Sequence, residues 1–356
     1  MGSKAKKLNV LQAFRAIFII LICIEHMALN NKLSFLGAGS EGVSFFLVLS
    51  GFLTGYIYRD RPYDCSVKGS VQFVKKKLKK FYPLHLTAIV LSLLLQVLYI
   101  IKNFGMDTGR LLDNFIKAVL DALFLQVYIP VKGWYINDIH GVGWFLSLIV
   151  FCYAFSFFGL FLIKRAKEKN KSILLFAAAL LIYLAVYIIF GASEMNTFVL
   201  YVFPPVRFLE YFMAMMMGYY YSEDFAHISG QGVATGLIEV ISVVLLIVNH
   251  TLIKTGFYAE RANINYLTTL AVSLLLVFVF SHEKGIISKA LNRDLLVTIG
   301  DLSFYIYIMH QVIIKYVATV LGWNNLGAIV SAFVIIGYTI LIKRLTGQKK
   351  SFRQSK

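Results

Sequence analysis

Arg15 and His26 lie eleven residues apart in one apolar run. In a helix that separation is about three turns on one face, roughly 16 Å along the axis. The two cannot touch, but they can line one channel, with a guanidinium suited to an anion at one end and an imidazole suited to proton transfer at the other. Lys77 and Lys80, in a basic stretch directly before another apolar run, can join Arg15 in an anion-binding mouth. Arg207 and Glu210, at i and i+3, can pair with one another, or work with His26, His310 and Trp144 in acid–base chemistry at the opposite end. Ionisable groups at a bilayer centre cost about 2.5–3.5 kcal/mol each on insertion scales. Arg15, Glu25, His26, His85, Arg207, Glu210, Asp301, His310 and Lys315 are therefore all functional candidates. A lone membrane histidine is as often a satisfied core residue as a catalyst; two at similar depth, with a cationic mouth below, point to chemistry. No zinc-type histidine spacing, G-x-S-x-G elbow or phosphate loop occurs. Cys23, Cys65 and Cys152 give neither a bridge framework nor metal-ligand spacing, so the expectation is no metal.

These residues need elements that carry them through a membrane. The chain has 356 residues, 59% hydrophobic and 15% charged, with mean hydropathy +0.73, whereas soluble domains hold about 45–50% apolar and about 25% charged residues. That excludes an ordinary soluble enzyme, a disordered chain and a disulfide scaffold. The expected fold class is all-α, a polytopic membrane protein with about ten spans near 9–28, 41–58, 82–101, 142–163, 173–190, 199–220, 232–253, 263–281, 297–320 and 325–342. Segment 111–128, with Asp113, Lys117 and Asp121 at i, i+4 spacing, reads as an interfacial or re-entrant amphipathic helix.

With both termini cytoplasmic, the inner segments hold 25 of the 35 Lys+Arg and the outer ones 7, among them Lys32, Lys132 and Arg261. This is the positive-inside bias. The net charge of +17 is then mostly a topology signal, with the Lys75–Lys80 run facing anionic lipid head groups; nucleic acid is not an expected partner. Arg15 interrupts the first run and no signal-cleavage pattern follows it, so that run reads as a retained span. Residues 1–345 read as one integral domain and 346–356 as a basic cytoplasmic tail. On this topology Arg15 is in the inner half of its span, and His26, Tyr307 and His310 lie toward the outer side. His85 and Asp301 fall at interfacial inner ends. Stretch 102–141 is outside, the one lid candidate, with Trp134 and Tyr135 available to stack on a sugar ring. Ser50 and Gly51 let a ligand arm approach the backbone closely; tight helix packing accounts for them equally well.

The order of these motifs is itself distinctive. LNVLQAFRAIFIILICIEHMA (8–28) is followed by GVSFFLVLSGFLTGYIYR (42–59) and FVKKKLKKFYPLHL (73–86), then by GWFLSLIVFCY (143–153), PPVRFLEYFMAMMMGYY (204–220) and LSFYIYIMHQVII (302–314). Over nearly the whole chain this resembles the acyltransferase-3 family of bacterial integral-membrane acyltransferases, which modify cell-surface polysaccharides. The resemblance implies transfer of an acyl group, usually acetyl, from cytosolic acyl-CoA to an extracytoplasmic hydroxyl, in a multi-pass protein of the bacterial cytoplasmic membrane. No permanently bound cofactor is implied; acyl-CoA is the donor substrate, and a homodimer or a glycan-synthesis complex is compatible with it. By resemblance, Arg15 and His26 are the first-span pair, with His26 the base or transient acyl carrier. Lys77 and Lys80 occupy positions where the family carries two Arg that hold the CoA phosphates; Lys keeps the charge and loses the bidentate fork. Trp144 matches the family Trp, and Tyr307 with His310 a late motif ending in His. The carboxylate that often follows the Trp by five positions is Ile149 here, so that its role is either absent or moved to Glu210. A transporter or flippase for a lipid-linked glycan is the rival reading, disfavoured by the lack of repeat symmetry.

Overall fold

The computed structural model describes residues 6–27, 34–131, 133–135, 139–221, 233–258 and 263–354; the outer-loop cations Lys32, Lys132 and Arg261 lie outside these. Among the described residues there is no strand. Ten apolar helices follow the expected spans: α1 Asn9–His26, α2 Gly39–Tyr58, α4 Tyr82–Phe104, α6 Gly143–Glu168, α7 Ser172–Phe190, α8 Pro204–Tyr220, α9 Val233–Lys254, α10 Asn265–Ser281, α12 Asp294–Leu321 and α13 Asn325–Gln354. Eight of them are long and apolar enough to cross a membrane; α8 and α10 have 17 residues each. Helix α13 runs unbroken through the boundary expected at 345. Three further helices are α3 Val67–Leu78, α5 Thr108–Ala122 and the short α11 Ile286–Leu291.

The centre is built from α1, α2, α6, α8 and α12. Helices α2 and α8 meet backbone to backbone, because a methyl group at Gly51 would overlap the Tyr211 carbonyl oxygen and one at Gly218 that of Phe52. In a bilayer, where helices gain little hydrophobic energy by associating, such small-residue contacts set the approach distance. Gly51→Ala is therefore expected to cost about 1–3 kcal/mol, read as a lower unfolding midpoint in detergent. Helix α1 lies along α12, where Gly300 leaves room for the Gln12 carbonyl. At the end of the bundle where α1 begins, Lys6 N–H donates to Tyr56 Oη (3.2 Å) and Lys7 pairs with Asp301 (2.7 Å), so α2 finishes and α12 starts beside the N-terminus.

Span six is broken. A π-type turn at Thr197–Val202 and Phe203 precede α8, and Pro204 opens the helix where its missing N–H costs nothing. The turn carries Tyr201 inward.

The stretch 102–141 folds back into the bundle, the re-entrant alternative for 111–128. Asp107 caps α5 by accepting from Arg110 N–H (3.0 Å), and α5 then doubles back along α4 until Asp121 reaches His85, whose Nε2 is 3.7 Å from Asp121 Oδ1. Phe124, Gln126, Val127, Tyr135, Ile139 and His140 are buried beyond it, and α6 starts from within the fold, with Tyr307 Oη donating to the Val142 carbonyl (3.1 Å). The segment is a re-entrant hairpin and plug. Two expectations fall with this: His85, read as interfacial, is fully buried, and Tyr135 packs its ring on Phe198 (5.1 Å) instead of facing outward. Amphipathicity alone does not distinguish a helix lying on a membrane from one folded back into a bundle.

Candidate functional site

Polar groups gather at two depths along α1. At the lower one, a cavity of about 360 Å³ opens beside the N-terminal end of α1, and its lining includes Arg15, Ser50, Lys77, Lys80, Tyr153 and Asp301. Helix α3 delivers the lysines: Ser66 caps its start by accepting from Gly69 N–H (3.1 Å), and Lys75, Lys76 and Lys77 fill its last turn, where cations suit the helix dipole. Phe73 of α3 packs on Phe157 of α6 (4.6 Å), which holds Lys77 with its ammonium 4.9 Å from the Tyr153 ring and 5.1 Å from the Phe73 ring. Burial there, and then the neighbouring Lys80 and Lys76, push the Lys77 pKa down to about 8. Arg15 is held from below by Gln12 Oε1 (3.0 Å) and from α12 by Ser303 Oγ (3.2 Å). Three expected anion ligands from two segments, Arg15 of α1 and Lys77 and Lys80 at the end of α3, thus share one cavity with Ser50. Gly51 does not join them. It faces the Tyr211 backbone, so its ligand role is replaced by packing.

A larger groove of about 620 Å³ lies between Arg59, Arg61, Lys164 and Arg165. Its Arg59 is already held by Asp60 (2.9 Å) and by the Tyr221 carbonyl, and none of the buried polar groups of the core lines it.

At the upper level the rings of His26 and His310 meet edge to face at 5.1 Å. His26 Nδ1 is 2.9 Å from the Ile22 carbonyl, and His310 Nδ1 is 2.7 Å from the Tyr307 carbonyl. A carbonyl only accepts, so each Nδ1 carries the hydrogen and each Nε2 keeps the basic lone pair. His310 Nε2 is buried and has no hydrogen-bond partner among the described residues. The two levels approach one another through rings: Phe145, on the cavity wall, is 5.4 Å from Tyr307, whose ring is 5.7 Å from His310.

Trp144, Arg207 and Glu210 form a separate buried group. Arg207 donates to Glu210 Oε1 (2.8 Å) and to Ser44 Oγ (3.1 Å), and Tyr183 Oη donates to the same carboxylate oxygen (3.0 Å). The Arg207 guanidinium sits 5.5 Å from the Tyr201 ring, which is 4.8 Å from Trp144. Among the described residues Glu210 makes no hydrogen bond to either histidine, and its carboxylate takes the pairing with Arg207 that the i, i+3 spacing allowed. Glu25, outside the site, pairs with Lys254 (2.6 Å).

Sequence reasoning missed Tyr153 and Tyr201, which touch the Lys77 and Arg207 cations. Both read as ordinary apolar-run aromatics, and only the tertiary fold brings them to a charge. His140, in the stretch just before the span expected at 142–163, was missed as well.

A family model described as an acyltransferase domain matches residues 8–343. No curated protein and no solved structure gives a significant match.

Proposed function

The chain belongs to the acyltransferase-3 family of membrane proteins, and on that premise we propose that it takes an acyl group, acetyl in the first instance, from cytosolic acyl-CoA to a hydroxyl of an extracytoplasmic glycan or lipid-linked saccharide in the bacterial cytoplasmic membrane. The observation that carries the reading is the cavity that holds Arg15, Lys77 and Lys80 together and has on its wall Phe145, one ring from Tyr307 and two from His310.

In this reading the cavity mouth faces the cytoplasm, as the positive-inside bias requires. The CoA phosphates dock on Lys77, Lys80 and Arg15, while Ser50 and Tyr153 flank the arm. An extended pantetheine is comparable to about four residues of chain, on the order of 14 Å, close to the roughly 16 Å rise from Arg15 to His26. The thioester thereby reaches the histidines without the nucleotide leaving the mouth. His26 Nε2 takes the proton of the acceptor hydroxyl as its oxygen attacks the thioester carbonyl. The C–S bond breaks, an ester forms, and the proton passes to the departing thiolate to give CoA. His310 is a positioning residue that fixes the His26 ring, and Trp144 with Tyr201 and Arg207 shapes the acceptor side.

The test is to supply purified protein with labelled acetyl-CoA and a crude acceptor glycan. Expected is CoA release coupled to base-labile label on the glycan; glycan movement across a membrane with no CoA release would instead identify a transporter.

Two further outcomes follow at the mouth. Lys77→Ala with Lys80→Ala removes two charge-assisted contacts worth about 1.5–3 kcal/mol each and is expected to raise KM for acyl-CoA at least tenfold while leaving KM for the acceptor within about twofold. Lys77 also sets a pH dependence. Its pKa lies near 8, so it is charged below that value and loses its charge above it. KM for acyl-CoA should therefore rise as pH passes from 7 to 9, and Lys77→Arg, charged throughout, should flatten the rise. A rise that persists in Lys77→Arg assigns it elsewhere.

A further inference from the structure

His85, Asp121 and His140 come from three segments, the first turn of α4, the end of the re-entrant α5 and the connection into α6. All three are fully buried, and one donor atom from each lies within 4.8 Å of the other two. They are 36 and 19 residues apart in the chain, a spacing no metal motif would flag, and no step of the proposed acyl transfer uses them.

The hydrogen bonds around them are those of a prepared donor set. His140 Nε2 is 2.8 Å from the Ile308 carbonyl, and His85 Nε2 is 3.1 Å from the Asp121 carbonyl. His140 Nε2 therefore carries the hydrogen and its lone pair is on Nδ1; His85 Nε2 lies 3.7 Å from Asp121 Oδ1 as well, and among the described residues neither Nδ1 has a hydrogen-bond partner. Metal-bound histidines are oriented in this way, one ring nitrogen tied to a carbonyl and the other left to the ion. The carboxylate has its own support: Gln126 Nε2 donates to Asp121 Oδ1 (2.8 Å) and Ser147 Oγ donates to Gln126 Oε1 (2.9 Å). Gly143 leaves the space, since a methyl group there would overlap the Asp121 carboxylate. Two neutral imidazoles and a carboxylate, all oriented from outside, suit a first-row divalent ion.

We propose that His85, Asp121 and His140 bind one divalent transition-metal ion, with Zn²⁺ as the reference ion, and that the ion clamps the re-entrant hairpin to α4 and to the start of α6. The role is structural. It holds the plug that supports Val142 and Trp144, and it gives the buried ring nitrogens a partner. It is independent of the acyl-transfer reading.

The experiment uses full-length protein purified in detergent through a tag without histidine and without chelator. Elemental analysis is expected to find one zinc or similar ion per chain, and chelation should lower the unfolding midpoint, which added Zn²⁺ restores. His85→Gln, Asp121→Asn and His140→Gln should each lose the ion, while His250→Gln, at the far end of α9 beside Glu41 (2.6 Å), should keep it. Should the three variants fail to fold, Co²⁺ loading of the unaltered protein reads the site: a visible ligand-field spectrum with nitrogen and oxygen donors supports it. Metal-free protein whose midpoint ignores Zn²⁺ and Co²⁺ overturns the proposal, leaving a hydrogen-bonded His–Asp cluster. Folded variants that retain the ion overturn it too, by placing the metal elsewhere.

Discussion

His26→Ala will lower the turnover of acyl transfer by about 10²–10⁴-fold, the usual contribution of a positioned general base, and leave the binding of acyl-CoA within about twofold. The reason is geometric. The His26 ring is fixed by its Nδ1–H to the Ile22 carbonyl (2.9 Å) and by contact with His310 (5.1 Å), and the proposed donor phosphates are held about three turns lower. Removing the ring deletes the proton acceptor and touches no phosphate ligand. His26→Gln keeps the size and the polarity without the basic nitrogen and should be as slow as alanine. Turnover of correctly inserted His26→Gln at the unaltered rate would refute the assignment. His310→Ala should fall between the unaltered protein and His26→Ala, because His26 survives but loses its neighbour, and its loss should shift the pH profile as well as the rate.

Glu210→Ala has the largest expected effect on stability. Arg207 is among the largest fully buried side chains in the protein, and Glu210 is its carboxylate partner, at 2.8 Å. Deleting one member of a buried pair strands the other, at about 3–5 kcal/mol. The unfolding midpoint in detergent should drop sharply. Arg207→Met combined with Glu210→Leu, which removes both charges at similar volume, should recover much of it. Were Glu210 instead a catalytic carboxylate, Glu210→Ala would keep its midpoint and lose only turnover. The ring of Tyr201 and the hydroxyl of Ser44 also hold Arg207, so the double variant should lose more than zero but far less than the single one.

The helices were the most legible part of the chain, because a span has to announce itself as an unbroken apolar run. All ten expected runs are helical, and the amphipathic reading of 111–128 matches α5 in kind. What escaped was depth. Asp113 and Lys117 pair on the outer face of α5 (2.6 Å), whereas Asp121, one turn on, is fully buried against His85. The same i, i+4 spacing thus contains both solvent-side and core carboxylates. The site was legible where charge stands out against oil, as with Arg15, His26, Arg207 and His310, and where a basic run abuts a span, as with Lys77 and Lys80. It was not legible where an aromatic or a glycine owes its role to a neighbour far away in the chain. Gly51 reads equally as a ligand approach or a helix contact until Tyr211 is placed against it, and Tyr201 is an unremarked residue until the π-type turn aims it at Arg207 and Trp144.

The central claim is that one chain carries an acyl group from a donor on the side of the Lys77–Lys80 mouth to an acceptor on the other. Proteoliposomes with acceptor glycan enclosed and the mouth facing out, given labelled acetyl-CoA outside, test it most directly. Expected are esterified label inside and free CoA outside, both abolished by His26→Gln. Label appearing only on glycan added to the same side as acetyl-CoA, or no CoA released at all, would contradict it.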